Sequence, residues 1–191
     1  MMTLRVIGTG SSGNAYILAD ENDNVLILDA GMKVKQIFAE IDSEANICGC
    51  LVTHEHMDHS RAVFDLALRG VRVGMSEGTR VCIGAQRTVN VEALKPRQTY
   101  VYGPYKVMPF ETEHDAQEPF GYLIEHTETH EKLLYATDTY YLKYRFPKVT
   151  YWVIECNYID DCIHETNETL RRRLLTSHMS LRRLEQALQA N

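Results

Sequence analysis

The 191-residue sequence lacks the features that would place it in a membrane or in a repeat array. No apolar run is long enough to cross a bilayer, and the N-terminus has no signal-peptide layout. Repeats, low-complexity segments and linkers are missing too, so we expect a single domain over residues 1–191 with no membrane contact. Cysteine is scarce: five residues without a regular framework favour a reducing compartment, and hence the cytoplasm.

Positive charge is also in short supply. Lysine and arginine number 20 against 26 acidic residues, which gives a net charge of −6. This balance argues against a protein that coats nucleic acid non-specifically. It does not exclude a nuclease, because bound metal ions neutralise carboxylates at a site. The densest basic cluster consists of Arg171, Arg172 and Arg173, which could bind phosphates or simply form the solvated face of a helix.

Strand and helix patterns alternate in both halves of the chain. Continuous or alternating apolar runs predict strands, and apolar residues three and four positions apart predict helices. The predicted strands cover residues 4–7, 15–18, 25–29, 47–53, 71–75, 100–101, 105–110, 121–126, 132–136 and 151–155. The predicted helices cover residues 33–40, 61–69, 77–83, 167–175 and 181–188. Pattern alone therefore indicates a mixed α and β protein with helices covering sheet faces.

The most informative segment is the polar run that ends the predicted strand at 47–53. It holds His54, His56, Asp58 and His59 within six positions. Neutral imidazoles and a carboxylate are natural ligands of Zn²⁺ and similar divalent ions. Four such groups favour two ions over one, because a single ion cannot easily take the adjacent Asp58 and His59 together with both other histidines. Two neighbouring metal ions usually indicate hydrolysis by an activated water.

The pattern His-x-His-x-Asp-His at a strand end resembles the hallmark of the metallo-β-lactamase superfamily. Further motifs of the superfamily occur in the expected order over nearly the whole chain. They are Asp29 before the histidine run and His114 and Asp138 after it, each after a predicted strand or at its end. The resemblance implies an α/β fold of the αββα sandwich type, in which two sheets pack together and helices cover their outer faces.

The same resemblance implies a role for each of these polar residues. Six of them would hold two divalent ions, most simply Zn²⁺ or Mn²⁺: His54, His56 and His114 the first, Asp58 and His59 the second, and Asp138 both. Asp58 is counted among the catalytic residues as well. Asp29 would orient the histidine run by hydrogen bonding. Taken one at a time, Asp29 could merely cap a turn and His114 could lie on the surface.

Glu155 and His178 resemble the paired acidic and histidine motifs of the nuclease branch of this superfamily. In that branch the histidine contacts the scissile phosphate or protonates the leaving oxygen, and the carboxylate orients it. We prefer this role because the sequence before His178 is helical, whereas ligand histidines of the superfamily normally follow a strand. Two alternatives stay open: His178 is a metal ligand, or its neighbouring serines only cap a helix.

An early glycine-rich loop narrows the resemblance to small bacterial and phage hydrolases of the nuclease-like kind. In this loop, Ser11, Ser12 and Asn14 are expected to contact a phosphate, since small residues let backbone amides approach a ligand. Arg171, Arg172 and Arg173 would hold flanking phosphates. A plain hairpin turn is the alternative for the loop.

One element of the superfamily pattern is missing from the sequence. The last metal ligand is normally a histidine that ends a further strand, and no such strand or histidine follows His178. We therefore expect the chain to be C-terminally incomplete, or else to lack that ligand at the second metal site.

The sequence leads us to expect a dinuclear hydrolase that cleaves phosphodiesters in DNA or RNA. Two alternatives remain: a hydrolase of small molecules such as cyclic phosphodiesters, lactones or thioesters, and a binding protein that keeps the fold without activity. The sequence alone does not distinguish DNA from RNA, exonuclease from endonuclease, or one oligomeric state from another.

Overall fold

The structure, a computed structural model, describes residues 1–165 and 167–191. In this described part, six strands form a first sheet in chain order: β1 (Thr3–Gly8), β2 (Ala15–Ala19), β3 (Asn24–Leu28), β4 (Asn46–Leu51), β5 (Val73–Ser76) and β6 (Val91–Leu94). Five strands form a second sheet in the order β11-β10-β9-β8-β7: β7 (Tyr100–Tyr102), β8 (Tyr105–Glu111), β9 (Phe120–His126), β10 (Lys132–Ala136) and β11 (Tyr151–Ile154).

Strand β2 shows why the two sheets stack. Its side chains alternate between the faces of the sheet, as the pleat requires. Ala15 and Ile17 belong to one hydrophobic cluster, and Tyr16 and Leu18 belong to another. A strand that is apolar on both faces must be covered on both sides, so the first sheet lies inside the protein with a layer above and a layer below it.

Three hydrophobic clusters define four layers. The first cluster joins the outer face of the first sheet to helices α1 (Val34–Ala39) and α3 (Val63–Leu68). The second lies between the sheets and is rich in buried tyrosine. The third joins the outer face of the second sheet to Met179 and to α6 (Leu181–Gln189). The layer order is α, β, β, α, as the resemblance implied.

The remaining helices are α2 (Met57–Ser60), α4 (Glu77–Cys82), α5 (Glu168–Ser177) and a 3₁₀ helix at Asp160–Glu165. Asn167 caps α5, since its side chain accepts a hydrogen bond from the backbone of Leu170, 2.9 Å away. Ser180 caps α6 in the same way. None of the helices in residues 1–165 and 167–191 is both long and apolar enough to cross a membrane.

Two sequence-based assignments need correction. The helix predicted at 61–69 is shorter and is α3, and a separate helix that the sequence did not predict, α2, precedes it and begins inside the histidine run at Met57. The sequence pattern also missed β6, which pairs in parallel with β5. Its four residues are too few to show a period, and only the neighbouring strand makes it recognisable as a strand.

Candidate metal centre

The polar residues at strand ends meet at one edge of the two sheets. Strands β3 and β4 run parallel, as do β10 and β11, so the carboxyl ends of each pair lie side by side. Each of these strands is followed by one or more of the residues that the sequence singled out. Asp29 follows β3, the histidine run follows β4, and Asp138 and Glu155 follow β10 and β11. The loop after β8 brings His114.

Three imidazole rings converge at the centre of this edge. The Nδ1 atom of His56 lies 3.0 Å from Nε2 of His54 and 3.4 Å from Nε2 of His114. A tetrahedral zinc ion with Zn–N bonds of about 2.0–2.1 Å keeps its ligand atoms about 3.4 Å apart. Both distances are close to this spacing, and the donor atoms of the three rings all lie within 4.8 Å of one another, so the three could bind one metal ion.

The carboxylate of Asp138 connects these rings with His59. Its Oδ2 atom lies 3.0 Å from Nε2 of His59 and 3.8 Å from Nε2 of both His54 and His114. Asp58 also approaches His59, with Oδ2 3.8 Å from Nε2 of that ring. One oxygen of Asp138 thus adjoins both groups of potential ligands.

Hydrogen bonds on the opposite ring nitrogens fix the orientation of the histidines. The Nδ1 atom of His114 lies 2.9 Å from the carbonyl oxygen of Ser177, and Nδ1 of His59 lies 2.8 Å from Oδ2 of Asp29. A proton on each Nδ1 satisfies these acceptors and leaves Nε2 as the atom that would face a metal ion. The threonine hydroxyl of Thr53 lies 3.0 Å from Nδ1 of His54.

Asp29 is fully buried and holds both sheets to the histidine run. It accepts hydrogen bonds from the backbone and hydroxyl of Thr53 at 2.8 and 2.9 Å. It also accepts one from the hydroxyl of Tyr135, on β10 of the other sheet, at 2.6 Å. With His59 these contacts occupy both carboxylate oxygens, so the aspartate connects the two layers at the site.

Main-chain hydrogen bonds anchor the segment that carries the histidines. The backbone of Asn14 donates to the carbonyl of Asp58 at 2.7 Å, and the backbone of Ala30 donates to the carbonyl of His59 at 2.8 Å. Gly31 lies against this segment so closely that a Cβ atom there would be 1.6 Å from the Asp58 carbonyl oxygen. The position of the loop is therefore set by backbone contacts.

The electrostatics of the cluster favour a bound cation. Burial and the neighbouring histidines lower the pKa of His54, which keeps this ring neutral. Burial opposes charge on His59, but the carboxylates of Asp29 and Asp138 outweigh it and raise the pKa of His59. Burial likewise opposes charge on Asp138, yet the hydrogen bond to His59 keeps the pKa of Asp138 low. Ionised carboxylates and a neutral ring donor together fit a divalent metal ion.

Two aspartates of the site, Asp29 and Asp138, adopt an unusual backbone conformation. Asp29 has φ of 59° and Asp138 has φ of 50°. This left-handed region costs a non-glycine residue about 1–2 kcal/mol, although Asp tolerates it better than most. In each case the turn comes directly after a strand and directs the carboxylate into the cluster. Such strain is typical of functional sites.

Glu155 and His178 form a second polar group beside the cluster. Oε2 of Glu155 lies 3.0 Å from Nδ1 of His178 and accepts a hydrogen bond from the side chain of Asn157 at 2.9 Å. Burial raises the pKa of Glu155. Burial alone would lower the pKa of His178, but its hydrogen bond to Glu155 outweighs this and raises it. His178 ends α5, and its ring lies 5.1 Å from that of His114.

A cleft of about 480 Å³ opens onto this group and onto Asp58 and Asp138. Of the residues expected to contact phosphate, Ser11, Asn14 and Arg173 line the cleft. The amide of Asn14 is already engaged, since its nitrogen lies 2.9 Å from Nε2 of His59 and its oxygen accepts from the backbone of Gly10.

The structure separates the remaining residues expected to contact phosphate from the cleft. Ser12 is exposed and is not among its lining residues. Arg171 and Arg172 line other depressions of the surface, so only one arginine of the basic cluster reaches the cleft.

Sequence reasoning missed three side chains that support the site: Thr53, Tyr135 and Asn157. Thr53 directly precedes the histidine run, so its place in the chain was a usable signal. Tyr135 looked like an ordinary core residue of a strand, and its contact with Asp29 spans 106 positions. No local pattern could have predicted that contact.

Comparison with known proteins identifies the family to which the chain belongs. A family model of the Beta-lactamase superfamily domain matches residues 24–191. The chain belongs to this superfamily. The metallo-β-lactamase fold protein YhfI from Bacillus subtilis superposes on 94% of the chain and 77% of its own length, with a TM-score of 0.70 at 18% identity. The resemblance and the αββα fold expected from the sequence are both confirmed.

Two relatives of the superfamily are similar in sequence. Exodeoxyribonuclease YycJ of Bacillus anthracis is 32% identical over 154 residues, which cover 75% of the chain and 57% of YycJ. Exodeoxyribonuclease WalJ of Streptococcus pneumoniae serotype 2 is 26% identical over 194 residues, which cover 92% of the chain and 71% of WalJ. The chain therefore spans little more than half the length of YycJ. Family and fold support a metal-dependent hydrolase.

Proposed function

We propose that the protein is a nuclease, a metal-dependent hydrolase that cleaves phosphodiester bonds in DNA or RNA. The observation that carries this proposal is the pair of Glu155 and His178 beside the histidine cluster, in one cleft with Arg173. A carboxylate-held histidine suits the protonation of a leaving oxygen, and a guanidinium suits a phosphate. The names of YycJ and WalJ add support for DNA.

In this proposal two divalent ions, Zn²⁺ or Mn²⁺, bind at the cluster. His54, His56 and His114 would hold the first, Asp58 and His59 would hold the second, and Asp138 would serve both. When bound, such ions polarise a phosphoryl oxygen and supply a nucleophilic water at neutral pH. Asp29 keeps the histidine run in place. We also propose a single domain and a cytoplasmic location, the latter because the five cysteines are free.

The chain's own groups handle the proton and the substrate. His178 donates a proton to the leaving oxygen, and Glu155 holds its ring through Nδ1. Arg173 is the only lysine or arginine among the described residues that line the cleft, which also holds Asp58, Asp138 and Glu155. Three carboxylates against one guanidinium would repel a phosphodiester, so substrate binding depends on cations bound at the cluster.

The His56→Ala variant is expected to lose metal and hydrolytic activity together, because Nδ1 of His56 lies between the donor atoms of His54 and His114. Elemental analysis after reconstitution with Zn²⁺ or Mn²⁺ measures the ratio of metal to protein. His130→Ala is the matched control, since that ring is exposed and pairs only with Glu125 in the described structure. Full metal content in His56→Ala would contradict the proposed site.

The His178→Ala variant is expected to keep its metal and to lose activity by roughly 10²–10⁴-fold, the usual range for general acid assistance. Glu155→Gln should lose less, because a neutral amide still accepts a hydrogen bond from His178. Rates on bis-p-nitrophenyl phosphate and the metal content of the same samples separate the two roles. Loss of a metal ion in His178→Ala would identify His178 as a ligand and overturn its role as the acid.

Replacing Arg173 by Gln is expected to weaken binding of nucleic acid and to reduce the slope of log affinity against log salt by about 1. Arg172→Gln is the matched control on the same helix, because Arg172 does not line the cleft. Fluorescence titration of labelled single- and double-stranded oligonucleotides measures both quantities. Equal effects of the two substitutions would show that the cleft is not the binding surface.

The cleft volume also favours a second candidate, a hydrolase of small phosphodiesters, lactones or thioesters, because about 480 Å³ suits a small ligand. Assays with both metals on DNA, RNA, bis-p-nitrophenyl phosphate and a neutral lactone distinguish the candidates. Cleavage of nucleic acid supports our proposal. Turnover of the lactone without cleavage of any phosphodiester would replace it, and inactivity on every substrate by the metal-loaded protein would favour a binding protein that keeps the fold.

A further inference from the structure

A second cavity adjoins the metal centre without sharing its residues. It has a volume of about 440 Å³ and lies between the segment 140–145 and helix α6. The segment begins two residues after Asp138, and the other wall begins at Met179, directly after His178. The backbone of Tyr140 donates to the carbonyl of Glu113 at 2.7 Å, next to His114. Both walls of the cavity are therefore continuous in sequence with residues of the metal centre.

The charged side chains that line the cavity are all positive. They are Lys143, Arg145 and Arg183, and no carboxylate is among the lining residues described. Lys143 is paired with Glu113. Among the side chains that the structure describes, Arg145 and Arg183 form no ion pair. In a protein whose net charge is −6, a concave surface with two unpaired guanidinium groups indicates an anionic ligand.

Arg183 is held in place before any ligand arrives. Its guanidinium lies 3.7 Å above the ring of Tyr140, and its Nη2 donates to the hydroxyl of Tyr140 at 2.7 Å. Its Nη1 is buried and has no hydrogen-bond partner among the described residues. Leaving a buried charged donor unpaired is unfavourable, so a small movement of the Arg183 side chain that brings Nη1 to an acceptor in the cavity would be favourable. Phosphate oxygens suit a planar guanidinium best.

Tyrosine side chains form part of the remaining lining of the cavity. Tyr140, Tyr141 and Tyr144 all line the cavity. The hydroxyl of Tyr144 is bonded to Glu111 at 2.8 Å, and one face of Tyr140 is covered by Arg183. Tyr141 is 53% exposed, which leaves its ring available to stack against a planar base.

We propose that this cavity binds a nucleoside monophosphate, with the phosphate on Arg183 and the base on tyrosine. Its volume lies within the range of roughly 300–1,000 Å³ found for small-molecule sites. The choice of a nucleotide over other aromatic phosphates rests on the proposed function, because a nuclease releases such units. The cavity would hold a released or terminal nucleotide beside the reacting centre.

The test is calorimetric titration of the full chain with deoxyadenosine monophosphate in the presence of EDTA, so that binding at the metal centre does not contribute. One saturable site per chain is expected for the parent. Arg183→Gln should weaken binding by roughly 10- to 100-fold, as expected for loss of a charged hydrogen bond. Tyr140→Phe keeps the ring and removes the hydroxyl that holds Arg183, so it should weaken binding less.

Arg182→Gln is the matched control, because Arg182 is exposed and does not line the cavity. Thermal melts verify that each variant is folded. Inorganic phosphate and deoxyadenosine should each bind more weakly than the nucleotide. The proposal is overturned if the parent shows no saturable binding, if Arg183→Gln binds like the parent, or if phosphate alone binds as tightly. Because no cleavage is measured, nucleotide binding can hold even where the nuclease assay fails, and the reverse.

Discussion

The Asp138→Ala variant is expected to lose essentially all hydrolytic activity, by roughly 10³-fold or more, because several kcal/mol of stabilisation depend on correctly placed metal ions. One oxygen of Asp138 lies within 3.0–3.8 Å of the ring nitrogens of His54, His59 and His114. Removing it takes away the group between the two proposed ions. Rates on bis-p-nitrophenyl phosphate and the metal content of the same samples are the measurements.

Asp138→Asn separates charge from shape. The amide keeps an oxygen and suits the left-handed backbone at this position, where φ is 50°. It carries no negative charge to offset two nearby cations, so we expect it to be nearly as inactive as the alanine variant. Asp65→Asn on the exposed face of α3 is the control for loss of a carboxylate. Full activity of either Asp138 variant would show that the metal site lies elsewhere.

The Gly31→Ala variant is expected to show the largest loss of stability. Its Cβ would be 1.6 Å from the carbonyl oxygen of Asp58 and 2.7 Å from the backbone nitrogen of Asn14. Both atoms belong to the main chain and cannot rotate away, so the histidine run must move. We expect the free energy of unfolding to fall by about 3 kcal/mol or more, at the upper end of overpacking effects. Urea denaturation measures this loss.

Gly84→Ala provides the comparison. Gly84 also has a positive φ, 75°, but a Cβ there meets open space. It should cost only about 1–2 kcal/mol from backbone strain. Metal content should fall in Gly31→Ala and remain unchanged in Gly84→Ala. If the two variants are equally stable and bind metal equally, the close approach of Gly31 to the histidine run does not hold the site together.

Local sequence was enough to predict most strands and the polar cluster that follows β4. Three histidines and an aspartate in six positions are a dense signal, and a buried strand before them fixes where they emerge. The strand and helix patterns in both halves likewise indicated helices covering sheet faces. These features were predictable because residues close in sequence determine them.

Contacts distant in sequence were not predictable. Tyr135 reaches Asp29 across 106 positions, and nothing in its own strand distinguishes it from a core tyrosine. The position of the basic cluster relative to the cleft was also not predictable from local sequence. Arg171, Arg172 and Arg173 are equivalent in composition, and only the direction of each residue on α5 places one of them in the cleft. Which face of a helix meets the neighbouring layer is decided by packing, and the local sequence of the helix does not determine it.

The main-chain anchoring of the histidine run has a consequence for how such a site can change. The loop is positioned by backbone bonds from Asn14 and Ala30 and by contact with Gly31, none of which depends on which side chains the loop carries. Ligand identity can therefore vary at His54, His56 and Asp58 while the scaffold stays in place, whereas the ring of His59 is itself part of the anchoring through Asp29. Exchanging a histidine for a carboxylate would retune the preference between softer and harder metals without rebuilding the fold. Such separation makes the site a favourable starting point for redesign and for evolutionary change of chemistry.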